Sequence, residues 1–166
     1  MAAQPFHVRV AEASDAARLA PLCAAHAAYE QLPPADLRHA ARLHAALASG
    51  QLHAWLLYRE AQAVGYASAT LDYATLSGRS YAHLDCLYLH AEVRGQGGGR
   101  ALLHAVIAFA RSRGCAELQW QTPAWNARVE AFLRERGVRV DDPYYQGRPI
   151  LVTQNDHQNH VYNGDL

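Results

Sequence analysis

The residues most able to do chemistry stand in VRGQGGGRALL, residues 93–103, where Gly95, Gly97, Gly98 and Gly99 are flanked by Arg94 and Arg100. Glycine loses more backbone freedom on ordering than any other residue, so such a run is costly unless the main chain itself has work to do. A helix start exposes unpaired N–H groups and the positive end of its dipole. Glycines there let a bulky anion approach those amides. The stretch therefore points to a phosphate or pyrophosphate site over residues 95–100, with Arg94 and Arg100 adding charge. The plain alternative is a flexible, glycine-capped loop. The P-loop pattern fails, because Arg100-Ala101 follows the last glycine where Lys-Ser or Lys-Thr is needed. The dinucleotide fingerprint fails at Arg100, and Glu117, at about the right distance for its acid, opens the following strand instead of ending it.

Other reactive side chains point less clearly. The ten histidines are scattered, and His157 and His160 lie close together only in a polar tail, so solubilising residues are favoured over a metal site. Cys23, Cys86 and Cys115 are odd in number and widely spaced, which suits reduced thiols in a cytoplasm better than a disulfide framework. The fifteen basic and fifteen acidic side chains cancel, giving no general attraction to nucleic acid or to an anionic membrane. No apolar run approaches the roughly 20 residues of a bilayer span, and MAAQPFHVRV lacks the basic and apolar regions of a signal peptide. With 166 residues, 51% apolar and 18% charged, the chain fits a single domain with a real core.

The elements that must position the glycines can be read from periodicity. FHVRVA alternates as a strand. Ser14 and Asp15 offer an N-cap and a first-turn acid to a helix carrying Leu19, Leu22, Cys23 and His26, with Pro21 as a kink or restart. Leucines at 37, 43 and 47 predict a second helix stopped by Gly50. QLHAWLLYRE, AVGYASATLDY and SYAHLDCLYLH read as three strands, the first two joined by a hairpin at REAQ and the last two by a longer, mobile break at TLSGRS. After the glycines, Leu102, Leu103, Val106, Ile107 and Ala110 form the stripe of a helix packed on a sheet. CAELQWQT predicts a strand, NARVEAFLRERG a helix, and VRVDD and PILVT closing strands around YYQGR; beyond Asn155 the chain is polar and expected to fray. The order strand, helix, helix, three strands, helix, strand, helix, strands predicts a mixed α/β sheet, antiparallel in the middle.

These residues carry a family resemblance. Arg94-Gly-Gln-Gly97-Gly-Gly99 resembles the R-x-x-G-x-G signature of the GNAT superfamily of acetyl-CoA-dependent N-acyltransferases. LDCLYLHAEVRGQGGGRALL resembles its fourth strand and pyrophosphate loop, and GCAELQW with WNARVEAFLRERGV its fifth strand and next helix. AAHAAYEQL and YATLSGRSYAHLDCLYL are similar to the diamine (spermidine- and thialysine-type) branch. The resemblance covers roughly residues 6–140. It implies one GNAT domain over 1–155 followed by a polar tail at 156–166, with six to seven strands and about four helices in an α/β (α+β) fold. At Gly98 the family usually has a branched apolar residue, whose absence predicts a looser loop.

What the resemblance implies about chemistry is direct attack of an amine on the acetyl thioester of acetyl-CoA, with no metal. Arg94, Gly95, Gln96, Gly97, Gly98, Gly99 and Arg100 would hold the pyrophosphate. Leu87, Tyr88 and Leu89 would align the pantetheine arm, with Leu87 N–H as the oxyanion donor. Asn126, Arg128 and Val129 would line the cofactor from the opposite helix. Asp85 and Glu30 would hold a cationic substrate, and Asp85 would help relay its proton. The tyrosine that usually protonates the departing thiolate is replaced by Leu133, after Phe132; either another group serves, with Tyr88, Tyr144 and Tyr145 as candidates that each read more readily as packing or loop tyrosines, or CoA leaves as the thiolate. Cys86 stands where the branch often has a second acid and reads as a small buried hydrophobe. The expected substrate is a small polyamine- or amino-acid-like amine, the runner-up a protein N-terminus or lysine, and outside catalysis an acyl-CoA-binding module. A cytoplasmic homodimer is implied by analogy.

Overall fold

A computed structural model describes residues 6–115, 117–123, 144–145, 148–149 and 157–162. Its elements are β1 (Phe6–Val10), α1 (Ala16–Tyr29), α2 (His39–Ser49), β2 (His53–Arg59), β3 (Gln62–Ala74), β4 (Arg79–Leu89), α3 (Gly98–Ser112), β5 (Leu118–Pro123), β6 (Tyr144–Tyr145), β7 (Arg148–Pro149) and β8 (His157–Tyr162). The strand order is β1-β2-β3-β4-β5-β8, with β6 and β7 forming a separate pair. The chain divides into two compact units, one of Met1–Thr70 with Cys86–Val106 and one of Leu71–Asp85 with Ile107–Leu166.

In the first unit β1 pairs antiparallel with β2, and β2 with β3. Arg59 faces Gln62, so the hairpin closes on the two-residue turn Glu60-Ala61, with Glu60 at φ 53. The register shifts between Leu57 and Tyr58, leaving Val64 as the extra residue of a bulge. Strand alternation sends Ala54, Leu56 and Tyr66 to the face covered by α1, where they form one buried cluster with Ala11, Leu19, Leu22 and Tyr88. Fully burying a leucine such as Leu19 or Leu56 contributes about 1.5–3 kcal/mol. Leu43 and Leu47 of α2 pack against the same cluster. Leu37, expected on that face, precedes the helix and lies in solvent. Pro21 sits inside α1 without ending it.

In the second unit β4 pairs parallel with β5 over Ala82–Leu84 and Leu118–Trp120. β8 pairs antiparallel with β5, from Leu118↔Tyr162 to Pro123↔His157. Residues 157–162, expected to fray, are therefore a strand: β5 offers an edge of backbone donors and acceptors that an extended segment satisfies, and composition alone does not reveal that edge. The expected long break at TLSGRS is a turn over residues 75–78, closed by Gly78 N–H to Ala74 O at 2.8 Å. The expected fourth helix and the strand at 138–142 lie outside the described residues. Among the described residues there are three α-helices, and no helix is long and apolar enough to cross a membrane.

Asp15 replaces the expected helix cap with a different contact. It ends a 3₁₀ turn, Ala13–Asp15, and its carboxylate accepts two hydrogen bonds from Arg9, at 2.7 and 2.9 Å, and one from the Glu12 N–H at 2.9 Å. Arg9 holds the Asp15 carboxyl below its ordinary 3.8, against the opposing effect of burial. A depressed folded value stabilises the fold fully above the ordinary pKa, and that contribution is lost as pH falls through the lower one. Asp15→Asn is expected to cost about 1–3 kcal/mol at neutral pH. It should also flatten the loss of stability below about pH 4, as read by urea melts across pH. Equal acid sensitivity in both proteins would contradict this account.

Candidate active site

β4 leads directly into the glycine loop. Its last residue is Leu89, and the His90 N–H donates to Val64 O in the β3 bulge at 2.9 Å. A 3₁₀ turn, Ala91–Val93, follows, pinned by Val93 at 1% exposure. The chain then passes Gly95 at φ 77 and Gly97 at φ 93 before α3 begins at Gly98. Both are left-handed values that a side chain would strain. Ala101 N–H donates to Gly97 O at 3.1 Å, so Gly97 caps the helix and the amides of Gly98, Gly99 and Arg100 form its open N-terminus. Beyond Gly97 and its two chain neighbours, no heavy atom lies within 4 Å of where a Gly97 Cβ would be, and residues 95–97 and Arg100 are exposed. This is an open concavity of main-chain donors at a helix dipole, the form of an anion site.

Two contacts hold that loop. Gln96 Nε2 donates to Glu92 O at 2.9 Å, while Gln96 Oε1 accepts from Arg59 Nη2 on β2. The Arg59 guanidinium in turn lies over the Phe6 ring, 4.8 Å from its centroid. Gly98 is buried, and a Cβ there would come 2.6 Å from Leu57 Cδ2 and 2.9 Å from Leu89 Cδ2. Two leucines thus fill the volume that a branched residue at 98 would occupy, and the expected looseness has a structural counterweight.

Arg94 turns away from the helix mouth. Its Nε donates to Leu89 O at 2.9 Å, and its guanidinium lies 4.4 Å from the Tyr29 ring centroid and 5.6 Å from that of Tyr88. Tyr88, at 8% exposure, stacks on His26 with centroids 5.0 Å apart. His26 bridges two further groups: Nδ1 lies 2.9 Å from Tyr66 Oη, and Nε2 lies 3.1 Å from Glu30 Oε1. Burial, and next the Cys86 and Cys23 thiols, push the Tyr66 phenol well above its ordinary range. The end of α1, β3, β4 and the glycine loop therefore meet in one aromatic and charged cluster. His26 and Tyr66 are the residues that sequence reading missed; the i, i+4 spacing of His26 and Glu30 was the available signal.

The β4 backbone has two edges here. Tyr88 O abuts Gly65 of β3, 2.7 Å from an ideal Cβ, and His90 N–H also faces β3. By alternation, Leu89, which lies between them, presents its main-chain groups to the opposite edge, where its carbonyl accepts from Arg94 Nε. Ala82 N–H donates to the O of Glu117, just before β5, although it shares the parity of Tyr88 and His90, so β4 changes phase between Ala82 and Tyr88. Asp85 is an exposed residue of β4, and Cys86 packs half-buried against the core cluster. Tyr144 and Tyr145 form β6. Asn126, Arg128, Val129, Phe132 and Leu133 lie outside the described residues. Among the described residues no group of His, Cys, Asp or Glu could hold a metal ion.

The Gly98 packing gives a direct check. Gly98→Val is expected to destabilise by about 1–3 kcal/mol through overpacking. Leu57→Ala should cost about 2–5 kcal/mol alone. Combined, the two should be clearly less damaging than their sum in denaturant melts. Strict additivity would show that Leu57 does not fill the place of the missing side chain.

The profile of the Acetyltransferase (GNAT) family matches residues 19–138. The thialysine N-epsilon-acetyltransferase of Bos taurus is 32% identical over 76 residues, 46% of this chain and 44% of that protein. The RecBCD enzyme subunit RecD of Mycobacterium tuberculosis is 55% identical over 42 residues, 25% of this chain and 7% of that protein. The matched segments thus span less than half the length of either curated relative. The crystal structure of a ribosomal-protein-alanine N-acetyltransferase from Brucella melitensis superposes with a TM-score of 0.72 at 24% identity, covering 95% of this chain and 99% of that one. That likeness shows the fold. With the family profile spanning most of its length, the chain belongs to the acetyltransferase (GNAT) family.

Proposed function

We propose that the protein is an N-acetyltransferase that moves an acetyl group from acetyl-CoA to a primary amine of a small, polyamine- or amino-acid-like substrate. The observation that carries this reading is the open helix mouth, where Gly95 and Gly97 adopt left-handed φ and nothing fills the space beside Gly97. That concavity fits a diphosphate. Acetyl-CoA, when bound, supplies the activated thioester. The amides of Gly97–Arg100 hold the diphosphate, with Arg100 and Arg59 as nearby charge. In this reading Leu87 and Leu89 give main-chain groups to a pantetheine arm, and the Leu87 N–H meets developing oxyanion charge. Holding both reactants in one frame supplies much of the rate.

The acceptor must arrive as a cation and react as an amine, because an alkylammonium has a pKa near 10.4. In this reading Glu30, whose side chain is 22% exposed, and Asp85, an exposed residue of β4, bind the ammonium, and Asp85 relays its proton. Tyr88 is stacked on His26 and serves as packing in this scheme. The 32% identity to a thialysine N-epsilon-acetyltransferase supports the amine class over a protein substrate. By family analogy we propose a homodimer, and from the odd, widely spaced cysteines a cytoplasmic one.

Calorimetry with acetyl-CoA is expected to show binding, and Gly97→Glu to abolish it through strain, bulk and like charge. A panel of spermidine, putrescine, thialysine, lysine and a peptide N-terminus should release CoA thiol fastest with a diamine or thialysine. Binding without turnover on any amine would favour the acyl-CoA-binding module; no binding at all would end both readings. Asp85→Asn should lower turnover with cofactor affinity nearly intact, and unchanged turnover would remove Asp85 from the site.

A further inference from the structure

We infer that His26 is a positioning residue for Glu30, the last member of a directed hydrogen-bond chain running from Tyr66 through His26 to the Glu30 carboxylate. The inference rests on the reading of Glu30 as an ammonium-binding acid. It begins with donor and acceptor inventory. An ionised carboxylate only accepts, so the Nε2 that lies 3.1 Å from Glu30 Oε1 must carry the proton. In the neutral ring Nδ1 is then an acceptor. The group 2.9 Å from it is the Tyr66 hydroxyl, on a side chain at 2% exposure. A phenol held protonated by burial is the matching donor. Every atom of the chain thus has one consistent direction.

Packing fixes the ring as well. Tyr88 stacks on one side of the imidazole, with planes 21° apart, and Tyr66 meets it edge-on at 5.8 Å. The other ionisable groups around it are Cys23 on α1 and Cys86 on β4, both beside the Tyr66 hydroxyl, and Arg94, His90 and Tyr29 around Tyr88. Glu30 follows the last residue of α1, its side chain 22% exposed, and the Nε2–H holds one of its oxygens before the substrate arrives. A carboxylate already aimed binds a cation without the cost of ordering.

The test measures the wild-type ring, three single variants and one double variant, with spermidine or thialysine as acceptor, whichever turns over faster. Nitrogen-15 NMR of the wild-type protein at about pH 8 is expected to show the neutral His26 ring protonated at Nε2. A ring protonated at Nδ1 overturns the inference without any variant. His26→Leu should raise the amine KM about tenfold, the scale of one lost hydrogen bond to a charged group, with acetyl-CoA affinity within about twofold of wild type. His26→Gln, which keeps one N–H donor, should recover part of the loss. Glu30→Gln should raise KM similarly, and adding His26→Leu to it should change nothing further. A wild-type KM in His26→Leu beside a raised KM in Glu30→Gln overturns the role of His26 alone. A wild-type KM in Glu30→Gln overturns both this inference and the placement of Glu30 at the amine. Should His26→Leu fail to fold, Tyr66→Phe keeps the volume and removes the donor to Nδ1. It should then raise the amine KM in the same direction, and an unchanged KM there overturns the chain.

Discussion

A few main-chain N–H groups at the mouth of α3 are the constraint on which the rest depends. Such amides bind a diphosphate well only if they are already aimed, because reorienting backbone on binding would consume the gain. Much of the described fold serves that preorganisation. The His90 bond to the β3 bulge fixes where β4 ends. Val93 pins the turn, Gln96 ties the loop to β2 through Arg59, and Leu57 and Leu89 close over Gly98. The ties come from β2, β3 and β4, so the loop is over-determined despite its glycines.

The Gly98 arrangement shows how a family signature can lose one of its own anchors. A branched residue at that position would wedge the loop against the sheet. In this chain the wedge comes from the opposite direction, from leucines on β2 and β4 that occupy the vacated volume. The interior is close-packed either way. A motif read position by position misses this, since the compensation lies in residues distant in sequence.

Much of the architecture was legible in the sequence because its signals are local. Alternation in FHVRV, the leucine stripe of α3 and the helix stop at Gly50 each depend on neighbours a few residues away. The glycine loop was legible for the same reason, since three adjacent glycines before an apolar helix demand a main-chain explanation. What escaped was non-local. β8 forms because β5 has an edge to cover, which HQNHVY does not announce. Arg94 stands beside the glycines in sequence, and its stacking on Tyr29 and Tyr88 is a contact the motif does not announce. His26 looked like one more residue of an apolar helix face until Tyr66, forty positions away, supplied its second partner.

Backbone amide NMR signals followed during a coenzyme A titration are expected to show saturable shifts concentrated at Gly95 and Gly97–Arg100, with Leu87 and Leu89 next and the amides of α2 still. Saturable binding that leaves the Gly97–Arg100 signals unmoved would contradict the preorganised helix mouth, because the diphosphate would then be held by something other than the start of α3.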